Sequence, residues 1–402
     1  MPYYPPIRRM PDTMRNRTLN GLSRLRRQLD QELPSRTVTD TLMLGTWNLR
    51  NFDDNRFVHG FRTQEDNYYI AEIISRFDVV ALQEICEDLT PLDRVMRVLG
   101  RNYSYIVSDV TEGPGGNRER MAFIYDTDKV SFRGVAGELV LPDRMQIIDG
   151  DGDDAKRRQF SRTPFMCAFQ SGWFKFVFTT VHIYFGSDSG PKYKRRVKEI
   201  RKVAQFLSKR ADRDINRKDL GSHLLVGDFN IKFPGSDGDE ALKEEGFTVF
   251  RNRKGSNKSQ TRFYDQISFK SKQDRVQLAN ADSHGVFQFF DSIYREDDFA
   301  DYRSEVIKSV RAKITRLKSE KAAAERRKAR ARTDKTRNKA EEDIQTAVAN
   351  IAKWTQALGD DAELKTYYLD DWRTFRASDH LPLWVELKID FSTEYLEGLA
   401  EA

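Results

Sequence analysis

Leu224-Leu225-Val226-Gly227-Asp228-Phe229-Asn230 reads as a short buried strand that stops at a glycine and presents an aspartate and an asparagine at its open end. Side chains alternate in direction along an extended segment, so Asp228 and Asn230 point to one site. A carboxylate and an amide oxygen converging on one point suit a hard cation or a phosphate oxygen. A strand followed by Gly-Asp is also an ordinary turn, so the reading depends on how the other strands end.

Several end the same way. Leu42 to Trp47 alternates apolar with small residues before Asn48, and Asp78 to Leu82 follows a helix-periodic stretch from Tyr68 to Phe77 and leads into Gln83-Glu84. Glu119 and Arg120 open a strand, Met121 to Tyr125, after a Gly-Pro-Gly-Gly-Asn loop. A flexible acidic loop, Asp149 to Asp154, precedes Phe160-Ser161-Arg162-Thr163-Pro164 and the strand Phe165 to Phe169. The strand Phe174 to Val181 ends in His182 ahead of a Gly-Ser loop, where an exposed functional histidine belongs. Lys192 to Leu207 is an amphipathic, Lys/Arg-rich helix, most simply a solvated face. Tyr264-Asp265-Gln266-Ile267 follows, and Ser378-Asp379-His380 precedes the last apolar strand, Leu383 to Leu387. Asn48, Glu84 and Asp228 thus place metal-type ligands at the carboxyl ends of three strands.

The 402 residues, 39% of them hydrophobic, suffice for one large domain or two ordinary ones with a proper core. No run of about 18 apolar residues suggests a membrane span, and the amino-terminal stretch lacks the apolar region of a secretory signal, so a soluble cytoplasmic protein is expected. Cys86 and Cys167 lie in or beside strand-like runs and read as buried thiols in a reducing compartment, and no Cys/His set has zinc-site spacing.

The net charge of +6 is unevenly spread: residues 1–40 carry eight Arg and four acids, residues 308–339 carry fourteen Lys/Arg and three acids, and the rest is left at −9. Basic charge therefore sits in two appendages on a mildly acidic body. Leu19, Leu22, Leu25 and Leu29 are spaced for a helix docked on that body, with a nucleic-acid-binding arm as the alternative. Residues 302–358 are rich in Ala, Glu, Lys and Arg, with a stripe of Val306, Val310, Ile314 and Leu317 and a second of Ile344, Val348, Ile351, Trp354 and Leu358. Folding about residues 332–333 sets Leu317 opposite Val348 and Ile314 opposite Ile351, an antiparallel coiled-coil hairpin reaching roughly 40 Å. Such an arm is a solvated spacer, a nucleic-acid contact, or a surface for a protein partner or self-association.

The ordered set Trp47-Asn48, Gln83-Glu84, Glu119-Arg120, Arg162-Thr163-Pro164, His182, Gly227-Asp228-Phe229-Asn230, Tyr264-Asp265 and Ser378-Asp379-His380 resembles the endonuclease/exonuclease/phosphatase superfamily, and most closely the pancreatic-type deoxyribonucleases. That resemblance implies an α+β fold, a four-layer α/β/β/α sandwich with the site at one end. The catalytic domain would comprise residues 41–301 and 359–390, with a basic segment 1–40 before it, the hairpin 302–358 inserted and a tail 391–402. It further implies Mg²⁺, with Mn²⁺ or Ca²⁺ as alternatives, held by Glu84 with Asn48, Asp379 and Asp228. His182 oriented by Glu119 and His380 oriented by Asp265 would be the acid–base pair, while Asn230, Arg162 and Arg120 would meet the substrate phosphate.

Two positions depart from the pancreatic pattern. Cys86 stands where those enzymes carry an arginine that enters the minor groove, and Asn117 where they carry a tyrosine that stacks on deoxyribose. The expectation is a Mg²⁺-dependent DNA endonuclease. A phosphomonoesterase or a phospholipid or inositol-phosphate hydrolase of the same superfamily is the first alternative, and a non-catalytic scaffold using the hairpin the second.

Overall fold

The computed structural model describes residues 2–112, 115–149, 156–216, 221–271 and 275–400; most of the acidic loop 149–154, together with Gly113 and Pro114, lies outside the described residues. Two six-stranded mixed sheets form the centre. The first contains β1 (Thr41–Phe52), β2 (Val79–Cys86), β3 (Tyr103–Val107), β4 (Glu119–Asp126), β13 (His284–Val286) and β14 (Leu383–Lys388), in the spatial order β13-β14-β1-β2-β4-β3. The second contains β5 (Ser131–Glu138), β8 (Phe165–Ser171), β9 (Phe174–His182), β10 (Ser222–Asp228), β11 (Thr248–Val249) and β12 (Asp265–Ser271), ordered β11-β12-β10-β9-β8-β5. A separate short hairpin, β6 (Ile147–Asp149) with β7 (Lys156–Arg158), brackets the acidic loop.

Alternation along the strands builds the layers. Leu42 and Leu44 of β1, Val79 and Ala81 of β2, Phe176 and Phe178 of β9, and Leu224 and Val226 of β10 share one apolar cluster between the sheets. The opposite faces carry Met43, Trp47, Val80 and Leu82 into a cluster with α1 (Asp12–Glu32), α2 (Gln64–Ile74) and α3 (Thr90–Leu99). Val177, Val181 and Leu225 enter a third cluster with α4 (Gly190–Asn216) and α5 (Asp237–Glu244). Three apolar interfaces separate four layers, helices outside and sheets inside.

Followed to one end, the inter-sheet faces turn polar. Leu42 and Leu44 are succeeded by Thr46 and Asn48, Phe176 and Phe178 by Thr180 and His182, Leu224 and Val226 by Asp228, and β4 and β12 begin on Glu119 and Asp265. Gly227 makes the crossing tight: a Cβ there would sit 2.2 Å from the Val181 carbonyl oxygen, and φ is +122°, so only glycine lets β10 lie this close to β9.

The amino-terminal helix α1 packs by Leu22, Leu25 and Leu29, while Leu19 is exposed. The inserted hairpin is α6 (Phe299–Ala329) and α7 (Asp334–Ala357), with Thr333 Oγ1 accepting the Thr336 N–H to cap α7. Tyr302, Val306, Val310 and Ile314 at its base join the same cluster as α1 and α2. Toward the tip the seam is made of small residues, Ala324, Ala340 and Ala347 with Ile344, whereas Val348 is exposed. Val348, expected opposite Leu317, is thus off the seam, and its neighbour Ala347 is buried instead. Helix α8 (Asp361–Asp370) returns the chain to the body, and residues 392–400, read as a tail, form helix α9 (Ser392–Ala400).

Candidate active site

The register centres the site on Asp228, which pairs with His182 on β9 and with Asp265 on β12. Its Oδ2 lies 3.5 Å from His182 Nε2 and 3.8 Å from His380 Nε2, and its Oδ1 accepts the Asn230 N–H at 2.8 Å. Each imidazole turns its other nitrogen to a carboxylate of its own. His380 Nδ1 is 2.7 Å from Asp265 Oδ2, a hydrogen bond between buried groups. His182 Nδ1 is 2.9 Å from Glu119 Oε2, at ion-pair distance but without the alignment of a full hydrogen bond.

Burial works against the charge on both histidines, yet both are raised above their ordinary value of 6.5. Arg162 adds to the opposition at His182, where Glu119 and Asp228 outweigh it, while Asp265 and Asp228 take His380 well above 6.5. Burial raises Asp228, and the Asp265 charge beside it adds to the effect against the two imidazoles. Burial also opposes ionisation of Glu119, but His182 and Arg162 overcome it and bring the carboxyl down to about 2.

Glu84 sits at an irregularity where β2 loses register with both β1 and β4, and its φ of +59° re-aims the side chain toward the cleft. Its Oε2 accepts the Asn51 N–H at 2.7 Å and its Oε1 lies 3.8 Å from His182 Nε2. Asn48 links the two carboxylates, its Nδ2 donating to Glu84 Oε1 at 2.9 Å and to Asp228 Oδ2 at 3.2 Å. Below them Gln83 donates to the hydroxyls of Thr46 and Thr180, closing the polar end over the apolar core. Trp47 Nε1 donates to the His380 carbonyl and Ser378 Oγ to the Asn48 carbonyl, which pins the His380 loop to β1.

Glu84, Asn48, Asp228, His182, Glu119, Asp265 and His380 therefore come together. Others take different places from those the sequence suggests. Asn48 turns its amide oxygen to the Arg50 N–H at 2.9 Å, so toward the cleft it is a donor that braces two carboxylates rather than a metal-type oxygen ligand. Asp379 stands at the rim, 3.5 Å from Arg50. Arg162 is committed to Glu119 through Nε at 2.6 Å and Nη2 at 3.3 Å, which makes it part of the His182 relay. Arg120 donates to the Ser108 carbonyl, away from the cluster, because neighbouring positions on β4 face opposite ways. Asn230, at φ +54°, spends one amide N–H on the Ile183 carbonyl. Arg196 carries no signal in the sequence, hidden in a helix whose charges read as solvated; it is buried, and burial lowers its pKa.

The donor set suits a small divalent cation. Asp228, Asp265 and His380 offer ligand atoms within 4.8 Å of one another, Asp265 Oδ1 is buried without a hydrogen-bond partner, and Glu84 is the more accessible carboxylate. Asp265 and His380 are paired with each other, and Asp228 is joined to Glu84 through the Asn48 amide.

The sequence pattern of the Endonuclease/Exonuclease/phosphatase family matches residues 45–286, and the chain belongs to this family of hydrolases, which act on phosphate ester bonds and are generally dependent on divalent metals. Similar solved structures include a mannosyl-6-phosphatase of Bacteroides thetaiotaomicron VPI-5482, 20% identical over 61% of this chain and 90% of that one, with a TM-score of 0.44. A humanized D. rerio TDP2 is 14% identical over 62% of this chain and 90% of that one, with a TM-score of 0.40. A truncated Caenorhabditis elegans TDP2 is 14% identical over 61% and 88%, with a TM-score of 0.39. No curated protein sequence matches the chain.

Proposed function

We propose that the protein is a Mg²⁺-dependent phosphodiesterase that cuts within nucleic acid, DNA foremost, by in-line attack of water. The observation that carries this reading is the pair of imidazoles, each backed by its own carboxylate, whose Nε2 atoms converge on Asp228. Displacement at phosphorus needs a proton taken from the entering oxygen and one given to the leaving oxygen, and two facing imidazoles supply both. His380, held well above its ordinary pKa, is the protonated acid, and its Nε2 gives the proton to the leaving oxygen. His182, restrained by Arg162, is the base, and its Nε2 takes the proton of the attacking water while Glu119 stabilises the imidazolium. Asn230 keeps a second amide N–H for a phosphate oxygen. Glu84 and Asp228 would hold the cation, which when bound polarises the phosphoryl group as a Lewis acid.

Supercoiled plasmid incubated with Mg²⁺ is expected to be nicked, and chelation by EDTA to stop the reaction. Release of inorganic phosphate from a monoester with no nicking overturns the nuclease reading. A specific observation supports that second reading: Cys86 is buried, so it does not reach a duplex as the pancreatic arginine does.

The acid limb of the kcat/KM profile belongs to the base and is expected above pH 6.5, since activity appears as His182 loses its proton. Glu119→Gln removes the charge that favours the imidazolium, so the limb moves to lower pH; an unmoved limb on a pH 5–9 series contradicts the assignment of His182.

We also assign the hairpin tip to binding of the phosphate backbone. Arg326, Arg330, Arg332 and Lys335 are exposed and form no ion pair among the described residues. Their joint change to glutamine is expected to weaken DNA binding and flatten its salt dependence by about 0.9 in log–log slope for each phosphate no longer neutralised. An unchanged slope in fluorescence anisotropy excludes the tip.

A further inference from the structure

Arg196, in the first turns of α4, is 1% exposed, yet neither Nη1 nor Nη2 has a hydrogen-bond partner among the described residues. A buried guanidinium lacking acceptors is unfavourable by itself, and its planar fork of donors matches a phosphate. Its nearest carboxylate, Asp188, is 3.8 Å away and half-exposed, and that single acid also faces Lys232 at 3.5 Å and Arg262 at 3.9 Å. Asp188 thus faces three cations, and the next carboxylate whose charge acts on Arg196 is Asp228 in the candidate active site. The guanidinium carbon lies over the rings of Phe185 at 5.2 Å and Tyr193 at 5.1 Å, and Phe185 is itself 44% exposed.

This cluster adjoins the catalytic groups. Lys232 lies two residues beyond Asn230, Arg262 two before Tyr264, and the Phe263 N–H donates to the Lys232 carbonyl to join the two loops. The Tyr264 ring is 5.7 Å from that of His380.

We propose that Arg196, Lys232 and Arg262 form a subsite for a second phosphate of the substrate, linked to the one being cleaved, with the exposed Phe185 ring beside it as a face for the connecting nucleoside. The ligand class is a chain of phosphates joined through organic groups, in contrast to an isolated monoester. The identity of the second phosphate rests on the phosphodiesterase reading; the anion site itself does not.

Two measurements separate these. Inorganic pyrophosphate and inorganic phosphate are titrated calorimetrically into the full chain without divalent cation. Arg196→Gln is expected to weaken pyrophosphate at least tenfold more than phosphate, and Asp188→Asn, which removes the competing carboxylate, to tighten pyrophosphate. Equal weakening of the two anions, or no tightening in Asp188→Asn, overturns the subsite. If Arg196→Gln does not fold, Asp188→Asn and Lys232→Gln decide, with opposite signs expected. The second measurement compares KM for a trinucleotide with KM for bis(4-nitrophenyl) phosphate, and the ratio is expected to rise at least tenfold in Arg196→Gln. If the wild type cleaves neither ester, the phosphodiesterase reading fails, while the pyrophosphate result still settles the anion site.

Discussion

His380→Ala lowers kcat by about 10²–10⁴, the range for loss of a positioned general acid, and also destabilises the fold in a pH-dependent way. The second effect follows from what the imidazolium sits between. Asp265 and Asp228 are both buried, each charge disfavours the other, and His380 is the cation shared by the pair. Without it, burial and the neighbouring Asp265 charge make Asp228 bind a proton more tightly folded than unfolded. A folded pKa raised in this way means the native state is favoured at low pH and loses stability as pH rises through the folded value. In the absence of divalent cation, the Tm deficit of His380→Ala is therefore larger at pH 8 than at pH 5. Adding Asp265→Asn removes one of the charges and is expected to recover Tm but not kcat. A variant with full activity, or a double variant that regains it, removes His380 from the chemistry.

Arg17→Met destabilises the protein by about 3–5 kcal/mol, the usual range when one partner of a buried ion pair is taken away. Arg17 holds Glu65 through Nε and Nη2, the latter at 2.7 Å, and reaches the Asp301 carbonyl and Glu305 through Nη1. Its guanidinium also lies 4.0 Å over the Tyr302 ring. Glu65 is 1% exposed and accepts from the hydroxyls of Tyr69 and Tyr302, so removing Arg17 leaves a buried carboxylate with neutral donors alone. Three helices meet there: α1, α2 and α6. Denaturant midpoints test the claim, with Arg17→Met/Glu65→Gln expected to lose less than Arg17→Met. A single variant within about 1 kcal/mol of wild type by linear extrapolation contradicts the account.

The central strands and the candidate residues at their ends are legible in the sequence as short apolar runs that stop at polar residues, whereas the four-layer sandwich is legible only through the resemblance carried by the ordered motifs. The inter-sheet faces of β1, β9 and β10 run apolar to polar in the sequence, and Asn48, His182 and Asp228 stand where that run ends. The edge strand β5 is invisible there, since Ser131 to Glu138 is exposed along nearly its whole length and selection for a core leaves no alternation. Roles decided by a side chain's far end are illegible too. Arg162 lies at the expected place, but its guanidinium is consumed by Glu119. Asn48 shows its amide nitrogen because Arg50 claims its oxygen. Arg196 shares its helix with solvated lysines and arginines, and only tertiary packing reveals that it is buried.

The rooting of the hairpin has a further consequence. Val306, Val310 and Ile314 belong to the same apolar cluster as Trp47 and Leu82, the residues behind the strand ends that carry Asn48 and Glu84. Beyond Ile314, α6 continues for about 22 Å at 1.5 Å per residue. An arm rooted in that cluster cannot swing at its base without unpacking it, so the direction in which it leaves the body is set by the core. A long polymer lying along the arm would therefore meet the body from one fixed direction.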